Sequence, residues 1–270
     1  MTAKPGVIRV GIGGWTFEPW RGVFFPPGLA HAKELAYAAG KLSAIEVNGT
    51  YYSSQSPATF AKWAKETPDG FVFALKASRF CTNRKVLADA GASVETFLTS
   101  GIVELGDKLG PILWQFMPTK KFDPDDFGAF LKLLPARRDG LPLRHAVEVR
   151  HESFLTPAFV KLAKDAGVAV VFADTPKYPA IADLTADFVY ARLQDAHEEI
   201  ETGYDAQALD RWADTAHAWA KGGAPEGLGY IETAKAGAAK DVFVFMINGA
   251  KVRAPAAAMA LLDKLRAQAA

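Results

Sequence analysis

Apolar positions along the chain fall into short runs of Val, Ile and Phe, separated by longer stretches with helical spacing. The runs occupy residues 7–12, 44–48, 71–77, 111–116, 145–150, 168–174, 188–193 and 242–248, each of strand length, and predict eight β-strands. Helix-start signals fill the gaps. Ser56-Pro57 reads as an N-cap followed by proline at the first helical position, starting a helix to about Glu66. Asp123-Pro124 and Thr156-Pro157 repeat the signal before residues 127–134 and 159–166. Leu209, Trp212, Ala213, Ala216 and Ala220 keep helical spacing, as do Met259, Leu262 and Leu265, and Gly40, Gly110 and Gly167 suit helix ends. Strand and helix alternate without a Ser/Gly linker or a shift in composition. That predicts an α/β fold, one closed parallel (β/α)8 TIM-like barrel spanning residues 1–270 as a single domain. The rival, a doubly wound sheet with a dinucleotide fingerprint, rests on Gly11-Ile12-Gly13-Gly14. It fails because Thr16 stands where the third glycine belongs and Pro19 opposes an immediate helix.

Side chains alternate across a strand, so the polar residues in these runs can be assigned a face. The outer face of a barrel packs on helices and must be apolar. In the second run Ile45 and Val47 therefore point outward, and Glu46 and Asn48 inward. By the same rule Lys76 points inward with Ala74 and Val72, and Gln115 with Leu113. Glu148 and Arg150 point inward with Ala146, Asp174 with Phe172 and Val170, Arg192 with Tyr190, and Asn248 with Met246. Gly11 and Gly13 fall on the inner face of the first strand, and Arg9 lies inside at its opposite end. One polar residue thus closes nearly every strand at the C-terminal face, where barrel enzymes place their chemistry. The plain structural alternative is an ion-pair plug, with Glu148–Arg150, Glu46–Lys76 and Asp174–Arg192 neutralising one another.

Composition narrows the functional classes. Of 270 residues 50% are hydrophobic and 23% charged, which excludes a disordered chain or a disulfide scaffold. Net charge is +1, too little for a global field toward nucleic acid or an anionic membrane. The lone Cys81 makes neither a disulfide nor a zinc quartet. With no signal-peptide core and no run of about 20 apolar residues, a cytoplasmic location without membrane contact is expected. Aromatic residues follow the strands: Trp15, Phe17 and Trp20 after the first, Tyr51 and Tyr52 after the second, Phe80 after the third. Rings beside charged groups suit a stacked sugar or base, and Trp15 and Tyr52 are the candidates for that role.

Several of these residues also carry a family likeness. Gly13-Gly14-Trp15, Trp20, Phe25-Pro26, Glu46-Val47-Asn48-Gly49-Thr50-Tyr51-Tyr52, Trp63 with Glu66-Thr67-Pro68, Phe73-Ala74-Leu75-Lys76-Ala77, Leu113-Trp114-Gln115-Phe116, Glu148-Val149-Arg150-His151 with Phe154, Asp174 and Tyr190-Ala191-Arg192-Leu193 occur in that order. As an ordered set the chain resembles the YecE-like family (domain of unknown function 72). The resemblance implies a TIM-like barrel of about this length and no particular reaction. Two departures stand out. Where the family has histidine and glycine after the seventh-strand arginine, this chain has Gln194-Asp195, with His197 the candidate substitute. Where the family's last strand ends in a Phe-Asn-Asn-like run, this chain reads Met246-Ile247-Asn248-Gly249.

The chemistry expected from the ring is that of a small anionic or sugar-containing substrate. Lys76, Arg150 and Arg192 would clamp a phosphate or carboxylate, with Asn48, Gln115, Asn248, Trp15 and Tyr52 completing the binding surface. Glu148, Asp174 and Glu46 would act as carboxylate base and partners, and His151 as acid, in a hydrolase, lyase or isomerase. Oxygen ligands from Glu46, Glu148 and Asp174 suit Mg²⁺ or Mn²⁺, but three cations among them compete, and the five histidines show no ligand spacing. No metal is assigned, and no cofactor. Glycoside hydrolysis is disfavoured because Gln115 and Arg192 stand on the fourth and seventh strands, where retaining barrels carry carboxylates. The alternative function is a non-catalytic module for a nucleotide or single-stranded nucleic acid, with rings and cations as its means of binding.

Overall fold

A computed structural model describes residues 4–233 and 235–269. Eight parallel strands form its centre: β1 (Ile8–Gly13), β2 (Ala44–Val47), β3 (Val72–Lys76), β4 (Leu109–Gln115), β5 (His145–Glu148), β6, β7 (Phe188–Leu193) and β8 (Asp241–Met246). β6 comes in two pieces, Ala169–Val170 and Phe172–Asp174. Its first piece pairs with β5 and its second with β7, and β8 pairs with β1. That double pairing closes the sheet into a barrel and leaves no open edge.

The crossovers carry α1 (Glu34–Ala39), α2 (Gly49–Tyr52), α3 (Pro57–Glu66), α4 (Arg79–Thr82), α5 (Gly91–Leu98), α6 (Pro124–Leu131), α7 (Pro157–Asp165), α8 (Ala206–Ala220) and α9 (Ala254–Ala269). Ser56 caps α3 by accepting from the Thr59 amide, and Asp123 caps α6 by accepting from the amides of Asp125 and Asp126. The regular alternation expected from the sequence breaks once. The segment from β6 to β7 holds no helix. Prolines 176 and 179 interrupt it, and Thr185 docks it by accepting from the Val170 amide and donating to the Val168 carbonyl. Gly110 also departs from expectation. It lies inside β4 rather than at a helix end, and a Cβ there would meet the Val72 side chain at 2.4 Å.

Two apolar layers result. Val10, Ile12, Ile45, Phe73, Ile112, Trp114, Val147, Val189 and Val244 belong to the outer layer under the helices. Inside the barrel, small Ala44, Ala74, Ala146 and Ala169 share a layer with bulky Phe188, Tyr190, Phe243 and Phe245, so small residues on one wall make room for rings on the other. At the bottom Arg9 and Arg144 share the Asp241 carboxylate, at 3.9 and 2.8 Å, and Arg9 lies over the Phe243 ring. The floor of the barrel is thereby plugged, and the open end is the C-terminal one. No helix among the described residues is long and apolar enough to cross a membrane.

Candidate functional site

The C-terminal ends of β2, β4, β5 and β7 bring one polar network together. Arg192, only 2% exposed, donates from Nε and one terminal nitrogen to the two oxygens of Glu46, each at 3.0 Å. Its other terminal nitrogen donates to Glu148 Oε2 at 2.6 Å. Gln115 donates to the same Glu148 oxygen at 2.7 Å, Arg150 reaches Glu148 Oε1 through Nε at 2.9 Å, and the Tyr190 hydroxyl donates to Glu46 at 2.7 Å. Burial pushes the Glu148 carboxyl upward, but Arg192, Arg150 and the Gln115 hydrogen bond outweigh it and hold the group below its ordinary value. Burial works against the Arg192 charge too, and the two glutamates overcome it. Both glutamates are therefore spent on arginines. Glu148, the base expected from the sequence, is a bonded, ionised carboxylate that positions Arg150 and Arg192. Arg192, expected to clamp a ligand, has committed every nitrogen of its fork.

Above this floor opens a cleft of about 630 Å³. Lys76, Gln115, Arg150, Arg192, Asn48 and Asn248 line it together with Trp15, Phe17, Trp20, Tyr52 and Trp63. Lys76 is 7% exposed, and its ammonium has no ion pair or hydrogen bond among the described residues. It lies 4.2 Å from the centre of the Tyr51 ring. Burial is the main reason its pKa falls to about 8, with Glu46 pulling the other way. Arg150 stacks 4.5 Å over Tyr178 and keeps one terminal nitrogen without a partner among the described residues. Lys251 lies 4.3 Å over Phe17, and burial lowers its pKa. Trp15 packs edge-on against Trp63 at 5.1 Å, so it forms a braced wall, whereas Tyr52 is 65% exposed at the mouth. Gly13 is required beneath, since a Cβ there would stand 3.0 Å from Asn48 Nδ2 and 2.8 Å from Ile247.

Four sequence expectations need correction. Asp174 does not join the ring. Val170 and Phe172 belong to the outer layer while Ala169 and Val171 face inward, so the parity of β6 is opposite to that expected and turns Asp174 away from the cleft. Asn248 does reach the cleft, but by another route. Phe243, Phe245 and Ile247 are the inner residues, and a left-handed turn at Asn248 (φ 59°) brings its amide round to donate to Gln194 Oε1 at 3.1 Å. His151 is occupied as a cap: its Nδ1 accepts from the Ser153 amide at 3.1 Å, fixing the turn before Phe154. His197, the candidate substitute for the missing family histidine, sits in an exposed loop near Asp195 and Glu199 and does not line the cleft. With Asp174 outside and both glutamates engaged, the oxygen-ligand set for a divalent metal is not assembled. Among the described residues no group of three or more His, Cys, Asp or Glu side chains is arranged to hold one.

Asp174 instead stands near Asp195, and burial first, then that carboxylate, raises its pKa to about 6. A carboxyl raised above its unfolded value of about 3.9 stabilises the fold most when protonated, so its contribution falls as pH rises from about 4 through 6. Asp174→Asn is accordingly expected to raise the melting temperature at pH 8 and leave it unchanged at pH 4. Equal melting curves at pH 8 would show that the ionised carboxylate costs the fold nothing.

Tyr51, Tyr178 and Lys251 were not among the sequence-derived site residues. All three come from loops or short turns, where no periodicity sets direction. Tyr190 could have been assigned, because it shares the inner face with Arg192.

The family described as "Protein of unknown function DUF72" matches residues 9–270. The UPF0759 protein YunF of Bacillus subtilis (strain 168) is 27% identical over 158 residues, 57% of this chain, and the match spans 54% of that relative's length. The crystal structure of a DUF72 family protein from Thermotoga maritima MSB8 superposes with a TM-score of 0.75 at 22% identity, covering 96% of this chain and 99% of that one. A DUF72 family protein from Enterococcus faecalis V583 gives 0.70 at 20% identity, covering 96% of each chain.

Proposed function

The chain belongs to the DUF72 family, and we propose that it takes a small anionic, sugar-containing substrate into the cleft at the C-terminal mouth of the barrel. The observation that carries this is a surplus of positive charge. Lys76, Arg150, Arg192 and Lys251 line the cleft, no carboxylate lines it among the described residues, and Glu46 and Glu148 beside Lys76 are already bonded to arginine. Holding unpaired cations in a confined site is costly, and a bound phosphate or carboxylate removes that cost. The free edge of Arg150 and the ammonium of Lys251 are the donors for the anion. The rings of Trp15, Phe17 and Tyr52 offer faces on which a sugar can stack.

Within this proposal the group suited to move a proton is Lys76, not Glu148. A side chain that titrates at about 8 is partly neutral near neutral pH, as a general acid or base must be, whereas Glu148 stays ionised with both oxygens occupied. A hydrolase, lyase or isomerase is the class of enzyme we propose.

Calorimetric titration with phosphate, sugar phosphates and sugar acids tests the proposal. Saturable 1:1 binding that weakens by less than about tenfold between 50 and 200 mM salt is expected, since one anionic group makes few contacts. A non-binding result for the whole series refutes it. Tighter binding of a single-stranded oligonucleotide, falling by about 10³ or more over that salt range, would favour the nucleic-acid module instead. The loop after β7 carries Asp195, Glu198, Glu199 and Glu201, which speaks against an extended phosphate track across the mouth.

A further inference from the structure

We infer that Lys76 is a covalent nucleophile: its side-chain amine condenses with an aldehyde or ketone group of the substrate to form an imine at the floor of the cleft. The inference rests on reading the cleft as the site of an anionic ligand and adds the functional group that the ligand must carry.

Lys76 ends β3 with its side chain on the inner face, nine-tenths buried and lining the cleft. In that position an ammonium ordinarily takes a carboxylate partner. Two carboxylates are near enough to feel its charge, Glu46 and Glu148, yet Arg192 and Arg150 occupy the glutamate oxygens at 2.6–3.0 Å. What remains for the amine is the face of Tyr51 at 4.2 Å and the open cleft. An ammonium left in this state is poorly compensated, so the neutral amine is within reach, and the pKa of about 8 agrees. Desolvated lysines beside other cations are the ones that attack carbonyl carbons. The surroundings also fix the Lys76 backbone and the ring its amine rests on. Thr50 donates from its hydroxyl to the Lys76 main-chain carbonyl at 2.7 Å, and Tyr51 is tied to Asn83, whose amide donates to its hydroxyl at 3.1 Å.

The step balances without a further reagent. The amine nitrogen bonds to the carbonyl carbon, the π pair moves to oxygen, and one amine proton transfers to that oxygen to give a carbinolamine. Loss of the hydroxyl with the second amine proton releases one water and leaves C=N. Protonated, the imine carries the positive charge that Lys76 held before. Glu46 and Glu148 stay bonded to Arg192 beneath it, and the ligand's anionic group meets Arg150 and Lys251.

The test is reductive trapping on the full chain. Dihydroxyacetone phosphate and glyoxylate serve as carbonyl probes, glycerol 3-phosphate and glycolate as their reduced counterparts. Borohydride added with a carbonyl probe is expected to give one stable adduct per chain, mapped by mass spectrometry to the peptide containing Lys76. Wild type is expected to bind glycerol 3-phosphate, which has no carbonyl and forms no imine, while Lys76→Arg gives no adduct at that peptide. If glycerol 3-phosphate binds and trapping at Lys76 stays at the level of the surface lysines, the covalent role is overturned and the anion site stands. If an adduct forms at Lys76 but no reduced counterpart binds, the covalent role stands and the anion site falls. If neither occurs, both are overturned.

Discussion

Arg192→Met is expected to destabilise the fold by about 3–5 kcal/mol, the cost typical of breaking a buried ion pair from one side. Arg192 is the only cation bonded to Glu46 among the described residues, and it shares Glu148 with Arg150. Without it Glu46 keeps only the Tyr190 hydroxyl, and two glutamates at 0% and 1% exposure face each other across the barrel. At roughly 2–4 °C per kcal/mol for a chain of this size class, the melting temperature should fall by about 6–20 °C. The loss should also depend on pH. Uncompensated buried carboxylates titrate above their unfolded value, so the variant binds extra protons in the folded state and becomes less stable as pH rises from about 5 to 8. Scanning calorimetry at pH 5 and pH 8 checks both statements. A shift under 2 °C at both values would mean that the network adds nothing to stability. Tyr190→Phe, which removes one hydrogen bond and no charge, should cost about 1 kcal/mol with no such pH dependence.

The second large effect is on ligand binding. Arg150→Ala is expected to weaken phosphate and sugar phosphates by roughly ten- to a hundredfold, the loss of one charge-assisted contact worth about 1.5–3 kcal/mol. Arg150→Lys should recover part of that, because it restores the charge but not the planar fork that bonds Glu148 and stacks on Tyr178 at 4.5 Å. Arg192 and Gln115 still hold Glu148 in both variants, so the fold should survive and the titrations remain readable. Equal affinity of wild type and Arg150→Ala would remove Arg150 from the binding surface and leave the floor as a structural plug.

The barrel was legible in the amino-acid sequence because its strands are short, apolar and separated by capped helices. Ser56-Pro57 marks the start of α3 and Asp123-Pro124 that of α6, each with its side-chain cap, and α7 starts after Thr156-Pro157 without one. So were the inner faces of β2, β3, β4, β5 and β7. In each, one polar residue interrupts an otherwise apolar run, and a period of two then orients the whole strand. β6 lacked that information: its residues before Asp174 are apolar on both faces, and a polar side chain at the very end can leave the strand direction for the loops. In β8 the orienting residue is Asp241, at the opposite end and outside the run read as residues 242–248. The missing helix before β7 had no signature beyond two prolines.

Pairing inside the ring was decided by the tertiary structure alone. Glu46 and Arg192 lie 146 positions apart and Glu148 lies 44 from Arg192. Alternation places all three inside but says nothing of distance across the barrel, so Glu46–Lys76 and Asp174–Arg192 were as plausible from sequence as the pairs that form. Once barrel closure brings β7 opposite both β2 and β5, the guanidinium of Arg192 spans two carboxylates that the single charge of Lys76 cannot bridge. A planar fork with several donors satisfies two acceptors at once, and an ammonium beside it is left without one. Local sequence determined which residues face the interior. The geometry of closure determined that Lys76 is left without a carboxylate partner among the described residues.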